Sequence, residues 1–170
     1  MAQAIKSDRP VVYVALNYRL GALGFPIGPE AAANKAANLG LRDVLKGLEW
    51  IQEHIWAFGG DPNQVTIFGQ SAGAQVIALL YLQPEIKLFK AAIMQSAGAS
   101  TIPIGATETV WRERYDAFVG YAGCNISAPG SATGNDTLGG NFANAFECLK
   151  SLPADRILAA QTKAQSLGSP

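Results

Sequence analysis

The chain has 170 residues, of which 49% are hydrophobic and 15% charged, so it can bury a substantial apolar core and is not a disordered tail. Thirteen basic and thirteen acidic residues balance to no net charge and form no long run of one sign, which argues against nucleic acid as a partner. The longest apolar run near the centre, residues 76–82, is far shorter than the roughly 20 residues that cross a bilayer, so no transmembrane segment is predicted.

The first third of the chain predicts one strand, one loop and one long helix. Residues 1–10 are charged and lack a continuous apolar segment, so no signal peptide is predicted in this chain. Residues 11–16 are continuously apolar, which predicts a parallel strand buried on both faces. Glycines and prolines predict a loop over residues 17–29. Apolar residues then recur at helical spacing over residues 41–57, and Gly59 is expected to end that helix.

The remaining segments continue the alternation of strands and helices. Residues 65–68 predict a second strand, residues 72–82 a buried helix, and residues 89–95 a third parallel strand. A helix is predicted from about residue 107 to 122, and another is introduced by Pro153. This order of elements is typical of an α/β protein.

The motif Gly69-Gln70-Ser71-Ala72-Gly73 lies between the second strand and its helix. A serine attacks an ester only when it is exposed beside a base and oxyanion donors, and a sharp strand-to-helix turn exposes it in a strained conformation. Ser71 is therefore the predicted nucleophile, and the Ala72 N–H is predicted to face the developing oxyanion. Side chains at positions 69 and 73 are expected to collide across so tight a turn. An ordinary serine in a glycine-rich turn is the alternative, which the surrounding strand and helix disfavour.

Together with the motif Phe58-Gly59-Gly60-Asp61-Pro62, residues 65–73 resemble the active-site signature of type-B carboxylesterases, a family that includes the cholinesterases and fungal lipases. Similar segments extend the resemblance over most of residues 10–165: these are residues 17–21, 40–43 and 94–96. The resemblance implies a single, partial α/β-hydrolase domain over residues 1–170. It also implies a carboxylic ester hydrolase that acts on a small-molecule or lipid ester without a metal or other cofactor.

The sequence does not supply the rest of a catalytic triad. His54 is the only histidine, and the helix at residues 41–57 must run antiparallel to the strand that it precedes. A strand of five residues at about 3.3 Å each then separates His54 from Ser71 by on the order of 15 Å, so His54 is interpreted as a solvated helix residue. In complete members of the family a glycine-rich oxyanion segment precedes the matched region, and the acid and the histidine follow it. The resemblance therefore implies an incomplete fragment that is inactive alone.

Two further residues are assigned by comparison with the family. The family usually has glutamate before the nucleophile, and Gln70 removes that negative charge, which would weaken stabilisation of an imidazolium or a cationic substrate. The alternative is that glutamine at this position has no effect on the reaction rate. Ser96 resembles a serine that hydrogen-bonds the catalytic acid, and the alternative is a serine that only satisfies the end of its strand.

Cys124 and Cys148 are the two cysteines, and glycosylation sequons at Asn125 and Asn135 lie between them. Two buried thiols are one interpretation. The polar, glycine-rich segment between them and a similar loop in the family's fungal lipases favour a disulfide-closed surface loop over residues 124–148, and with it a secreted protein. A non-catalytic cholinesterase-like module or an inactive truncated product is the alternative function, which the intact Ser71 disfavours.

Overall fold

The computed structural model describes residues 9–26, 29–98, 100, 108–124 and 144–166. The described residues form the helices and strands α1 (Gly21–Gly24), α2 (Pro29–Ala33), α3 (Leu39–His54), β1 (Thr66–Gln70), α4 (Ala72–Tyr81), β2 (Ala91–Gln95), α5 (Glu108–Ala122), α6 (Ala145–Ser151) and α7 (Ala154–Gln165). The chain divides into two compact units. The first unit contains residues 1–18 and 41–104, and the second contains residues 19–40 and 105–170.

The first unit is built on a parallel pair of strands joined by a helix. Strands β1 and β2 pair in parallel, with Thr66 opposite Ala91 and Gln70 opposite Gln95, and α4 makes the crossover between them. Their apolar side chains and those of α3 and α4 share one core, whose buried members are Leu48, Ile51, Ile55, Val76 and Leu80. The predicted second and third strands and both flanking helices are confirmed, with ends shifted by about two residues, as is usual for helix and strand boundaries.

The end of α3 is fixed by local geometry. After His54 the chain tightens into a 3₁₀ turn, Ile55–Phe58, and Gly59 follows in the left-handed conformation with φ 79°. The Gly59 N–H donates to the Trp56 carbonyl at 3.0 Å, so glycine ends the helical region as predicted. The Gln52 side chain donates to two carbonyls, those of Pro62 at 2.9 Å and Leu88 at 3.1 Å, and so ties α3 to the segments that precede both strands.

The predicted strand at residues 11–16 is wrong. Residues 9–20 contain no strand, and Val11 and Tyr13 are 63% and 55% exposed. A strand requires a partner that accepts and donates ladder hydrogen bonds, and β1 and β2 pair only with each other among the described residues. The segment still contacts the sheet, because the rings of Tyr13 and Phe68 lie 6.0 Å apart.

The second unit is a helical cluster around a disulfide. Cys124 follows α5 and Cys148 lies in α6, and the two sulfur atoms are bonded at 1.98 Å, so the predicted disulfide is present. Both cysteines are buried in an apolar core with residues of α5 and α7, namely Tyr115, Val119, Ala122 and Ala160. The sequons at Asn125 and Asn135 lie outside the described residues.

Two short helices in the second unit correct the predicted loops. Helix α1 forms one turn inside residues 17–29, and α6 begins within the segment that was predicted as a loop between the cysteines. The Asn144 side chain caps α6 by accepting the Glu147 N–H at 3.0 Å. The spacing of Asn144 and Glu147 is the signature of a capping box, so the sequence contained a signal for this helix.

Candidate active site

Ser71 occupies the turn between β1 and α4, at the carboxyl end of the strand. Its backbone has φ 51° and ψ −117°, a region that residues with a Cβ rarely adopt, and its side chain is exposed. The Ser71 N–H donates to the Gln95 carbonyl at 2.9 Å, and its own carbonyl accepts the Gln75 N–H at 3.0 Å. Backbone hydrogen bonds to β2 and to α4 therefore hold the serine in its strained conformation. The side chain makes no capping hydrogen bond to α4.

The two glycines of the motif have different environments. A Cβ at Gly69 would lie 2.5 Å from the Gly73 carbonyl carbon and 2.7 Å from its oxygen, so only glycine fits there without moving the backbone. A Cβ at Gly73 would meet no heavy atom within 4 Å. The expectation of a collision at position 73 is therefore wrong, because the space on that side of the first turn of α4 is open. The motif alone does not distinguish the two positions.

Ala72 opens α4, so its N–H has no carbonyl one turn earlier in the same helix to accept it. The residue is exposed and directly follows Ser71. The N-terminal end of a helix also carries a partial positive charge. The first N–H of α4 therefore belongs to the residue that follows Ser71, at the end of the helix that favours negative charge.

Ser96 and Gln70 lie at the same edge of the sheet as Ser71. Ser96 follows β2 as Ser71 follows β1, and it is also exposed with a positive φ of 60°. Because Gln70 pairs with Gln95 in the parallel register, the two serines end neighbouring strands. Gln70 is exposed at the last position of β1.

His54 lies before β1, at the opposite end from Ser71. It ends α3, its ring stacks on Trp50 with centroids 5.0 Å apart, and its Nδ1 lies 3.0 Å from the Trp50 carbonyl oxygen. The five residues of β1 at about 3.3 Å each separate the two ends of the strand by on the order of 15 Å. The side chain is exposed and its partners belong to α3, which matches the interpretation of His54 as a surface helix residue.

A comparison with known proteins decides the family. Residues 2–169 match the carboxylesterase family. The chain belongs to that family. Carboxylesterase relatives include Lipase 2 of Geotrichum candidum, which is 41% identical over 157 residues that cover 88% of this chain and 25% of the lipase. Secreted lipase 1 of Botryotinia fuckeliana is 35% identical over 175 residues, which cover 98% of this chain and 28% of that protein.

Solved structures of carboxylesterases show the same arrangement of strands and helices. A structure of a PNB esterase superposes with a TM-score of 0.65 at 32% identity, and the match covers 90% of this chain and 27% of the esterase. The predicted α/β-hydrolase fold, present in part, is confirmed. The chain spans about a quarter of the length of these relatives.

Two kinds of feature are absent from the part of the chain that the structure describes. No group of three or more His, Cys, Asp or Glu side chains in that part of the chain is arranged to hold a metal ion. Within the same described ranges, no helix combines the length and the apolar character needed to cross a membrane.

Proposed function

We propose that this chain carries the nucleophile of a carboxylic ester hydrolase and that Ser71 is the acyl-forming residue. The observation that carries the proposal is the conformation of Ser71, exposed with φ 51° at the carboxyl end of β1 and directly before the first N–H of α4. Strained, exposed serines between a strand and a helix are the nucleophiles of α/β hydrolases. Membership of the carboxylesterase family supports the same assignment.

The chemistry follows from the placement of these groups. The Ser71 Oγ attacks the acyl carbon while a base takes its proton, and the negative charge develops on the carbonyl oxygen. The Ala72 N–H donates to that oxygen and lowers the barrier, because the donor is already oriented and needs no reorganisation. The protonated base then gives its proton to the leaving oxygen, so the alcohol departs and leaves an acyl-serine. Water, activated by the same base, hydrolyses the acyl-serine to release the acid and to restore the serine hydroxyl.

The base in this proposal is a histidine other than His54. His54 lies at the far end of β1 from Ser71, and a general base must come within about 3 Å of the proton that it takes. Residues 1–170 alone are therefore expected not to turn over simple esters. We further propose that Ser96 hydrogen-bonds the acid that orients this histidine, because Ser96 follows β2, the strand that pairs with β1.

The substrate class proposed is a carboxylic ester with an uncharged alcohol. Gln70 ends β1 as a neutral amide next to Ser71, so this position contributes no negative charge that would attract a cationic alcohol group. The lipases among the relatives support an acyl ester of lipid or small-molecule type.

We also propose that the protein is extracellular and glycosylated. A disulfide between Cys124 and Cys148 persists only in an oxidising compartment, and the two sequons at Asn125 and Asn135 are acceptor sites in such a compartment. One relative is named a secreted lipase. A peptide map of protein from the culture medium, before and after removal of N-glycans, tests both sequons, and unmodified peptides at both positions would contradict the proposal.

A fluorophosphonate probe tests the nucleophile in the full-length protein that contains this chain. Ser71→Ala should abolish covalent labelling, because the probe reacts only with an activated serine. Ser166→Ala is the matched control, since Ser166 is also an exposed serine at the end of a helix or strand, belongs to the second unit and has no role in the proposed reaction.

The control should keep labelling within a few-fold of the wild type. Labelling that survives Ser71→Ala unchanged would show that the nucleophile is another residue. A second assay measures p-nitrophenyl butyrate hydrolysis by residues 1–170 alone. Turnover that Ser71→Ala removes would show that a base lies within these residues, and the assignment of His54 would be wrong.

A further inference from the structure

The second unit contains a cavity of about 780 Å³. Helices α1, α5, α6 and α7 supply its walls, and every residue that lines it belongs to that unit, whereas Ser71 belongs to the first unit. The volume falls within the range of about 300 to 1,000 Å³ that small-molecule sites occupy. The cavity is therefore large enough to bind a ligand of its own.

Most of the cavity wall is apolar. Aromatic and aliphatic side chains from all four helices line it, among them Leu23, Phe118, Leu149 and Ile157. Burial of hydrocarbon against such side chains is favourable in proportion to the area removed from water. The wall is complementary to an alkyl chain.

The charged groups at the cavity have a single sign. Arg19, Arg114 and Lys150 line it, and the described lining residues include no Asp or Glu, although the whole chain has no net charge. Arg19 and Arg114 also interact with other groups of the protein, and Lys150 pairs with Glu147 at 3.3 Å. A ligand anion would join these contacts. Arginine and lysine both donate charge-assisted hydrogen bonds to carboxylates.

One contact shapes the cavity wall. The Gln161 Oε1 on α7 accepts the Ala22 N–H of α1 at 2.6 Å, and the approach requires glycine at position 21, where a Cβ would lie 2.3 Å from that oxygen. A hydrogen bond between residues 139 apart in sequence therefore holds α1 against α7. This part of the cavity wall is therefore held together by contacts within the folded unit, without a ligand.

We propose that this cavity binds a long-chain monocarboxylate, with the alkyl chain against the apolar wall and the carboxylate at Arg114 and Lys150. The combination of an apolar interior with cationic and no acidic lining residues points to an anionic amphiphile with one charged end. The inference rests on the cavity alone and holds whether or not Ser71 is a nucleophile. Such acids are also the products that the proposed ester hydrolase releases, and a role in sensing product, unlike binding itself, rests on the proposed function.

Titration calorimetry of the chain with octanoate, decanoate and dodecanoate, below their micelle concentrations, tests the proposal. Each methylene buried should tighten binding about fourfold, so two methylenes should lower the dissociation constant about 15-fold until the cavity is full. Dodecanol has the same chain without the charge and should bind at least about tenfold more weakly than dodecanoate. No saturable binding of dodecanoate, or equal binding of dodecanol, would overturn the proposal.

Variants locate the site. Lys150→Gln and Arg114→Gln should each weaken dodecanoate binding about tenfold. The matched control is Lys46→Gln, because Lys46 forms the same type of surface pair, with Glu49 three residues later, but lies in the first unit. The control should leave binding unchanged.

Ala164→Phe, which adds a ring to the cavity wall, should block the longer acids. Circular dichroism checks the fold of each variant. Should Arg114→Gln not fold, the test rests on Lys150→Gln, whose side chain is 59% exposed and can be replaced without disturbing the core. Equal binding by Lys150→Gln and Lys46→Gln, or dodecanoate binding that survives Ala164→Phe, would place the ligand elsewhere.

Discussion

Replacing Ser71 by glycine should give a more stable protein than replacing it by alanine, although both changes remove the hydroxyl. Ser71 has φ 51° and ψ −117°, and a residue with a Cβ in such a sparsely populated region costs about 1 to 3 kcal/mol. Glycine adopts this conformation without that cost. Glycine also raises the entropy of the unfolded chain, which offsets the gain by about 0.4 to 1 kcal/mol. Subtracting the middle of the second range from the middle of the first gives an expected net difference of about 1.3 kcal/mol in favour of glycine.

Thermal and urea unfolding of the chain measure this difference. For a protein of this size 1 kcal/mol shifts the melting temperature by about 2 to 4 °C, so Ser71→Gly should melt about 3 to 5 °C above Ser71→Ala. Ser166 provides the matched control, because it is exposed at the end of α7 with an ordinary φ of −71°. At that position glycine should be no more stable than alanine.

Two outcomes would refute the reasoning. Equal melting temperatures for the two Ser71 variants would mean that the turn stores no strain, and the physical argument for a presented nucleophile would fail. A glycine gain of the same size at Ser166 would mean that the effect is general to exposed serines and not a property of the turn.

Three further predictions concern the fold around the two sites. Gly69→Ala should destabilise the chain by about 1 to 3 kcal/mol, because its Cβ would lie 2.5 Å from the Gly73 backbone. Gly73→Ala should be neutral or stabilising by up to about 1 kcal/mol, because no atom lies within 4 Å of its Cβ. Equal melting temperatures for these two variants would contradict the prediction. Replacing both Cys124 and Cys148 by serine should lower the free energy of unfolding by roughly 3 to 4 kcal/mol. If reductant leaves the melting temperature of the wild type unchanged, this prediction is wrong. Burial raises the pKa of Tyr115, so the folded state keeps its proton longer than the unfolded state does and stability should fall as the pH rises above about 10. Tyr115→Phe should remove part of that fall in urea titrations at pH 8 to 11, and identical pH profiles for the two proteins would contradict it.

The segment around Ser71 was predictable because its signals are local. An apolar β-branched run, a glycine-rich turn and a helical run follow one another within 18 residues, and the strand and helix appear within about two residues of the expected bounds. The same locality explains the successful prediction of the helix end at Gly59, where a left-handed glycine closes the last turn.

The failures concern relations between distant parts of the chain. Residues 11–16 have the composition of a buried strand, but composition reports only a tendency toward burial, and a ladder also requires a partner in register. Gly69 and Gly73 are equivalent in the motif. A Cβ at Gly69 would meet the Gly73 backbone, whereas a Cβ at Gly73 would meet no atom within 4 Å. The cavity of the second unit depends on contacts between residues more than 100 positions apart, and no periodicity in the sequence reports such contacts.

The structure separates the proposed chemical role of Ser71 from its structural one. The backbone of this residue is held on both sides, by its N–H to the Gln95 carbonyl and by its carbonyl to the Gln75 N–H. Its hydroxyl does not cap α4, although serine at the start of a helix commonly does so. Ser71→Ala should therefore change stability little, because both backbone hydrogen bonds and the positive φ remain. A loss of labelling in that variant would then report the chemistry of the hydroxyl and not a loss of the fold, which is the condition that makes the probe experiment decisive.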